Sequence, residues 1–439
     1  MKRVYLYIIA AAVIGLLLPG QAAAASAGQQ IYSFKGEPGF EPAIGKDGNL
    51  RIISDETAFK DQRVFKPFTF SVVSPEGKQL SSWSDLGQAT YHADAMGNET
   101  VYVHNDKKMT AYSILHKKKW EAAVRADEEV SFADKGGNLY TARADAKDNL
   151  FVKRFTPAGQ VLNYPKAEEM EMGLSEDGKS VVQIAKGKDK KLSVLRSLKP
   201  NGKTAWEVSP FAKTYKKNAK LALDYVTLGD VDQNGNAYVI ASYGKEVFAE
   251  IYAISPVGKL LWKKDLGAGA AALMGIEKDT LYYQRAYNKV DFVSRKTGKT
   301  LGTVTISGVE DSEDGRELDI VSNQGLIYIF DDAGIYTVNT SGKKIALYPY
   351  PGKNDYVYTY DIDEKGRLYA VIRGVAGGKV TNTITVLSSK GKPIEQQVTK
   401  GTSLTGLVAH PTSGAYYAFY TTSSKTKPEK TDVVKYQLK

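Results

Sequence analysis

Residues 232–240, Asp232-Gln233-Asn234-Gly235-Asn236-Ala237-Tyr238-Val239-Ile240, and residues 256–262, Pro256-Val257-Gly258-Lys259-Leu260-Leu261-Trp262, decide the fold. The first stretch is a turn followed by a strand. Gly, Asn and Asp tolerate the positive φ that a two-residue hairpin demands, and the run after them is β-forming. The second is another tight turn leading into a strand that carries a tryptophan. Working outward, the first element recurs at Gly137-Asn138-Leu139-Tyr140, Asp279-Thr280-Leu281-Tyr282, Gly325-Leu326-Ile327-Tyr328, Gly366-Arg367-Leu368-Tyr369 and Gly414-Ala415-Tyr416-Tyr417. Related copies start at Asp47-Gly48, Gly97 and Asp177-Gly178, which makes nine hairpin turns. The second element recurs at Gly77-Lys78, Gly159-Gln160, Gly202-Lys203, Gly298-Lys299, Gly342-Lys343 and Gly391-Lys392, with His116-Lys117-Lys118 as a degenerate copy. Taking Lys118 for that copy, the spacings run 41, 41, 43, 56, 40, 44 and 49 residues.

A period of this length, read as strand, hairpin, strand with Tyr, strand, Gly-Lys turn, strand, is one four-stranded blade, and blades stacked around an axis bury faces that one blade cannot. The expected fold is all-β: a single propeller of eight or nine blades, with nine repeats counted. No segment of useful length has a 3.6-residue apolar period, which excludes a helical solenoid. The last repeat stops after Val433–Leu438, while Ile31-Tyr32-Ser33-Phe34 near the other end is an orphan strand. Pairing the two would close the ring and remove two sheet edges. The 56-residue spacing between Gly202 and Gly258 marks an insertion, with residues 210–223 as a surface loop carrying Lys213, Lys216, Lys217 and Lys220.

The chain of 439 residues has no cysteine, which excludes disulfides, thiolate metal sites, a Cys nucleophile and lipobox acylation. Lys2 and Arg3 precede an apolar run of 15 residues, Val4 to Leu18, and then small residues with Ala-x-Ala sites between Ala23 and Ala27. This is the layout of a secretory signal peptide over residues 1–27, leaving 28–439 as one propeller domain. The run reaches only about 22 Å against a hydrocarbon core of about 30 Å, so no transmembrane span is expected in the mature chain. The excess of 59 Lys+Arg over 49 Asp+Glu falls to 57 − 49 = +8 without Lys2 and Arg3, and 47 of the 59 cations are Lys. Lys offers diffuse attraction to anions, whereas specific nucleic-acid readout favours Arg forks, so no specific nucleic-acid partner is expected.

The Pro-x-Gly-Lys-x-x-Trp pattern at 200–206 and 256–262 resembles the tryptophan-docking repeat of the quinoprotein (PQQ-like) β-propeller family, and Trp120 occupies a similar place after the degenerate turn. The resemblance implies a propeller in which Trp wedges between neighbouring blades. Enzymes of that family carry a vicinal Cys pair against the quinone and a calcium held by Glu, Asn and Asp. With no cysteine and no aligned ligand set, the resemblance implies the exported non-enzymatic branch, whose members dock onto envelope complexes.

Other motifs fall on the repeat. Gly173 to Ser180 satisfies G-x-x-x-x-G-K-S, but a strand follows it where a phosphate loop needs a helix. Asp230, Asp232 and Asn234 have the alternate-oxygen spacing that opens a calcium loop, although Tyr238 and Ala241 stand where further acidic ligands belong. These three are the candidate metal ligands, for Ca²⁺. The four histidines, His92, His104, His116 and His410, lack metal-pair spacing, and Glu168, Glu169, Glu171, Glu176 and Asp177 read as a solvated connection. No catalytic or cofactor-binding constellation is recognised.

The function expected from the sequence is an exported, monomeric, non-enzymatic propeller, secreted or wall-associated, that binds or scaffolds an envelope protein or an anionic wall polymer. The alternatives are a quinone- or calcium-dependent propeller enzyme (oxidoreductase, hydrolase or lyase) and a polysaccharide-binding propeller displaying exposed Tyr and Trp.

Overall fold

In the computed structural model the described residues are 23–24, 28–39, 42–55, 66–146, 149–166, 172–175, 178–186, 193–213, 221–245, 248–268, 272–286, 288–306, 318–352, 354–376, 379–400, 403–422 and 429–438. They form nine sheets, one per sequence repeat and antiparallel apart from the short strand Ala23–Ala24, arranged as a β-propeller with no helix among them. Blade 5 is representative: Leu223–Val231, Ala237–Tyr243, Phe248–Ile254 and Leu260–Ala268 pair in chain order. First strands approach one another at several blade boundaries, among them those from blade 4 to blade 7 and from blade 8 through blade 9 to blade 1. The second strand is covered on both faces, and Ala237–Tyr243 is buried at every position. The outer strand Leu260–Ala268 is largely exposed. Apolar clusters cross blade boundaries, as where Val182, Ile184 and Leu195 of blade 4 pack on Val226, Val239 and Tyr252 of blade 5.

The ring closes as the repeat pattern requires. Gln29–Lys35 lies antiparallel to Lys430–Gln437 and completes blade 9 as its outer strand. Ser33 Oγ donates to Asp432 Oδ1 at 2.6 Å, and Gly36 N donates to the Glu429 carbonyl at 2.9 Å. In blade 1 the first strand is split between Glu37–Pro38 and Ala43–Ile44, both paired with Leu50–Asp55. The extra length before blade 5 falls between Val208 and Leu223. Phe211 there is buried, while residues 214–220, with Lys216, Lys217 and Lys220, lie outside the described residues. The expected leader, 1–27, also lies outside them, apart from Ala23–Ala24, whose backbone runs parallel to Pro393–Lys400.

The turns follow a different rule from the two-residue hairpin expected in most repeats. In blade 3, Gly137 N donates to the Asp134 carbonyl and Asp134 N to the Asn138 carbonyl, both at 2.9 Å. Only Gly137 has positive φ, at 75°, so the loop is a β-turn closed by a left-handed glycine. Asn138 is therefore present for its side chain: Nδ2 donates to Asp134 Oδ2 at 2.8 Å, and Tyr140 Oη donates to the same oxygen at 3.0 Å. Asp232 and Asp363 repeat this with Tyr238 and Tyr369. In blade 7, Gln324 (φ 56°) and Gly325 (φ 84°) form the two-residue turn that was expected.

All four tryptophans dock on the next blade. Trp206 Nε1 donates to the Pro256 carbonyl at 2.7 Å and Trp262 Nε1 to Arg295 at 2.8 Å. Trp120 reaches Pro157 at 3.1 Å, and Trp83, which the repeat pattern does not flag, reaches Ile114 at 3.2 Å. A Cβ on Gly159 or Gly298 would stand 2.6 Å from the docked ring, so sterics as well as φ demand glycine there. In the degenerate turn His116 itself takes the left-handed position (φ 58°), two residues earlier than the Lys118 used for the spacing. Its ring stacks on Trp83 with centroids 4.3 Å apart.

Candidate functional site

In an antiparallel blade the first and third turns leave by the same end, so all such turns share one face of the ring. On this turn face seven of the eight Gly-Lys-type turns place an exposed Lys after the left-handed residue: Lys78, Lys117, Lys203, Lys259, Lys299, Lys343 and Lys392. The hairpins between first and second strands add exposed Lys46, Lys135, Lys179, Lys278 and Lys365, and Lys199, Lys296 and Lys390 complete a total of fifteen. The local cause is simple. A residue that enters an outer strand straight from a turn meets water on most sides, and a long cation is accommodated there without desolvation.

Four of the eight described acids in these turns are spent within the fold. Asp94, Asp134, Asp232 and Asp363 are buried turn caps. Burial alone would raise the Asp94 carboxyl, but the Asn98 side chain and the N–H groups of Asn98, Met96 and Gly97 outweigh it and hold it below its usual range. Among exposed acids, Asp47 pairs with Arg51, and Asp279 with Arg295 and Lys296 at 3.4 Å each, while Glu76 and Glu364 are exposed on the same face. Neighbouring turns are tied together: Ala95 N donates to Lys135 O at 2.9 Å, Glu364 N to Pro411 O at 3.0 Å, and Lys278 Nζ to Gln324 O at 3.3 Å. The positive charge thus sits on a rigid annulus. On the opposite face Asp319, Asp331, Asp332 and Asp355 surround Tyr350, whose hydroxyl is pushed up first by burial and then by these carboxylates.

Asp230, Asp232 and Asn234 lie where the sequence places them, in the hairpin of blade 5. Asp232 Oδ1 accepts the N–H groups of Asn234 (2.8 Å) and Asn236 (2.9 Å), while Oδ2 accepts Asn236 Nδ2 (2.9 Å) and Tyr238 Oη (3.1 Å). Arg295 Nη1 stands 3.3 Å from the same Oδ2. Asp230 Oδ1 accepts the N–H of Val231 at 2.7 Å. Among the described residues no group of three or more His, Asp or Glu is arranged to hold a metal. Asp232→Ala orphans several donors at once, so it is expected to lower stability by about 2–3 kcal/mol, equally with Ca²⁺ and with EDTA. Denaturant melts under both conditions check this, and a loss seen only with Ca²⁺ would restore the metal reading.

The phosphate-loop look-alike ends in the strand Val181–Lys186, with Gly178 (φ 65°) in the blade 4 hairpin; Glu176 and Asp177, like Glu168, Glu169 and Glu171, lie outside the described residues. His92 Nε2 is 2.8 Å from the Asp134 carbonyl of the next blade, and His410 Nδ1 accepts the N–H groups of Thr412 and Ser413 at 3.3 Å each. The basic annulus is what reading motifs one at a time misses. Its signal, Lys at one repeat position, is visible once the turns are known to share a face.

No protein-family model and no curated protein matches the sequence. Among solved structures, one described as the eukaryotic initiation factor superposes with a TM-score of 0.52 at 12% identity, over 85% of this chain and 90% of that one. BamB from Moraxella catarrhalis gives 0.41 at 13% identity, over 83% and 96%. The computationally designed Ika8 protein gives 0.46 at 12% identity, over 92% and 99%. At such identities the first likeness is one of fold alone.

Proposed function

We propose that this chain is an exported, non-enzymatic propeller that acts as a binding module at the cell envelope, holding an anionic wall polymer across its turn face. The observation that carries this reading is the annulus of fifteen exposed lysines, fixed on hydrogen-bonded turns that bury four of their own acids, Asp94, Asp134, Asp232 and Asp363, against four left exposed. A polyanion lying on such a ring replaces its counterions with several Lys at once, and the attraction depends steeply on salt. Export rests on the layout of residues 1–27.

Poly(glycerol phosphate) serves as the probe and neutral dextran as the control. Binding is expected at low salt, weakening by at least about tenfold between 50 and 200 mM salt. Lys259→Gln, Lys299→Gln and Lys343→Gln together should weaken it by about tenfold or more. The same number of changes on the other face, Lys107→Gln, Lys245→Gln and Lys379→Gln, should have a smaller effect. Equal losses from both triple variants, or no binding at low salt, would overturn the proposal.

A further inference from the structure

The inner strands of blades 8 and 9 carry a second arrangement that the turn face does not use. In Tyr356–Ile362 the pairing register slips between Val357 and Thr359, and in Ser403–Ala409 it slips between Leu404 and Gly406. Tyr358 and Thr405 are therefore the extra residues of two adjacent bulges. Bulges bend a strand and re-aim a side chain. Both residues line one cavity of 690 Å³ that runs along the inner strands from Ile44 in blade 1 to Gln324 in blade 7.

Tyr358 is held while staying open. It is 39% exposed, and the Arg373 guanidinium lies 3.3 Å from its ring centroid. Arg373 Nε donates to Asn382 Oδ1 at 3.0 Å, and Nη2 donates to the Leu404 carbonyl at 3.0 Å. Asn382 is completely buried. The guanidinium thus covers one side of the ring from a fixed position and ties it to the bulge of blade 9. Asp361 Oδ2 spans the same boundary by accepting the Ala409 N–H at 2.8 Å.

The lining points to a ligand class. Among the described residues it holds no Lys, Arg or His, but it does hold Asp361, Glu364, Asn323, Gln324 and Thr359. The cation beside it, Arg373, lies on the Tyr358 ring with Nε and Nη2 already given to Asn382 and the Leu404 carbonyl, and two acids line the cavity, so the polymer of the turn face is the poorer fit. An aromatic ring offers its face to the C–H side of a pyranose, and amides, hydroxyls and carboxylates match the hydroxyl rim. The volume is in the range of small-molecule sites. We infer that the channel along blades 7, 8, 9 and 1 is a binding site for a neutral oligosaccharide of a few pyranose units, with Tyr358 as its stacking platform.

The test uses the full chain, titrated calorimetrically with cellotriose, maltotriose and chitotriose up to about 10 mM, and with pentalysine as the cationic alternative. At least one triose should bind with a Kd below about 1 mM. Tyr358→Ala should weaken it by about tenfold or more, while Tyr358→Phe keeps it. Thermal melts of both variants should match the parent, because the ring is exposed. Triose binding should also survive the salt that removes poly(glycerol phosphate), which separates this site from the turn face. The inference is overturned if no triose binds, if Tyr358→Ala binds like the parent, or if pentalysine alone shows the Tyr358 dependence.

Discussion

A chain beginning at Gly36 will not be recovered as a stable monomer. Residues 29–35 supply the outer strand of blade 9, and without them the backbone of Lys430–Gln437 becomes an open sheet edge. The same strand places half-buried Ile31, Tyr32 and Phe34 on the cluster of Leu50, Val73, Tyr417, Phe419 and Val433, which joins blade 9 to blade 1. It also seats the Ile31 carbonyl where a Cβ on Gly77 would come within 1.9 Å, sealing the last boundary of the ring. Lost burial and strand pairing together are worth about 4–8 kcal/mol, a large share of the stability of a typical protein. Size-exclusion chromatography should show dimers or larger species joined at the free edge. A synthetic peptide covering residues 28–36 should restore the monomer and a cooperative melt. A truncated chain that remains monomeric and melts like the parent would show that closure by this strand contributes little.

That closure was legible in the sequence, because an incomplete last repeat and an orphan strand are two halves of one blade. The repeat count was legible for the same reason, since each blade needs its own hairpin and nine were present, but it left eight or nine blades open until the nine sheets decided it. Turn geometry was only partly legible. Gly137 and Gly235 announced left-handed backbone, but Asn138 and Asn236 proved to be partners of buried aspartates rather than left-handed residues. A chain reading cannot tell these apart, since Asn suits both roles. The same buried carboxylates explain why Asp232 looked like a cation ligand. Oxygen spacing that can surround Ca²⁺ can equally collect backbone N–H groups, and only the positions of the donors decide between them. Of the two candidate sites, the lysine annulus was written in the period but needed the shared face to become a surface. The Tyr358 cavity was not legible at all. Its bulge, the guanidinium laid on the ring and the approach of blade 1 to blade 9 all depend on register and long-range closure.

Arg51→Ala should be the most damaging single substitution in the described core, at about 3–5 kcal/mol. Arg51 is 1% exposed and joins blades 1 and 2. Its Nε and Nη2 donate to Glu99 Oε1 and Oε2 at 2.8 and 2.9 Å, and Nη2 also donates to Asp47 Oδ1 at 2.9 Å. Tyr91 Oη donates to Glu99 Oε1 at 2.5 Å from the inner strand of blade 2. Gly45 makes room for the guanidinium, since a Cβ there would lie 2.4 Å from Nη2. Removing the cation leaves Glu99 half-enclosed beside a second carboxylate, and that uncompensated charge is the main cost. The pH dependence follows from Asp47. Burial raises its carboxyl, but hydrogen bonds from Arg51 and Asn49 and the Arg51 charge outweigh that and leave it below its ordinary value. A lowered carboxyl contributes stability above its unfolded pKa of about 3.9 and loses it as pH falls through the lower folded value. Urea midpoints should therefore drop below about pH 4 in the parent, and this acid limb should flatten in Arg51→Ala. Arg51→Met combined with Glu99→Leu should recover much of the loss, because a matched apolar pair leaves no buried charge alone. If Arg51→Ala unfolds within about 1 kcal/mol of the parent, the cluster is decoration at the blade boundary rather than its fastening, and the apolar packing of Val101 and Val103 on Phe70 and Trp83 carries that joint instead.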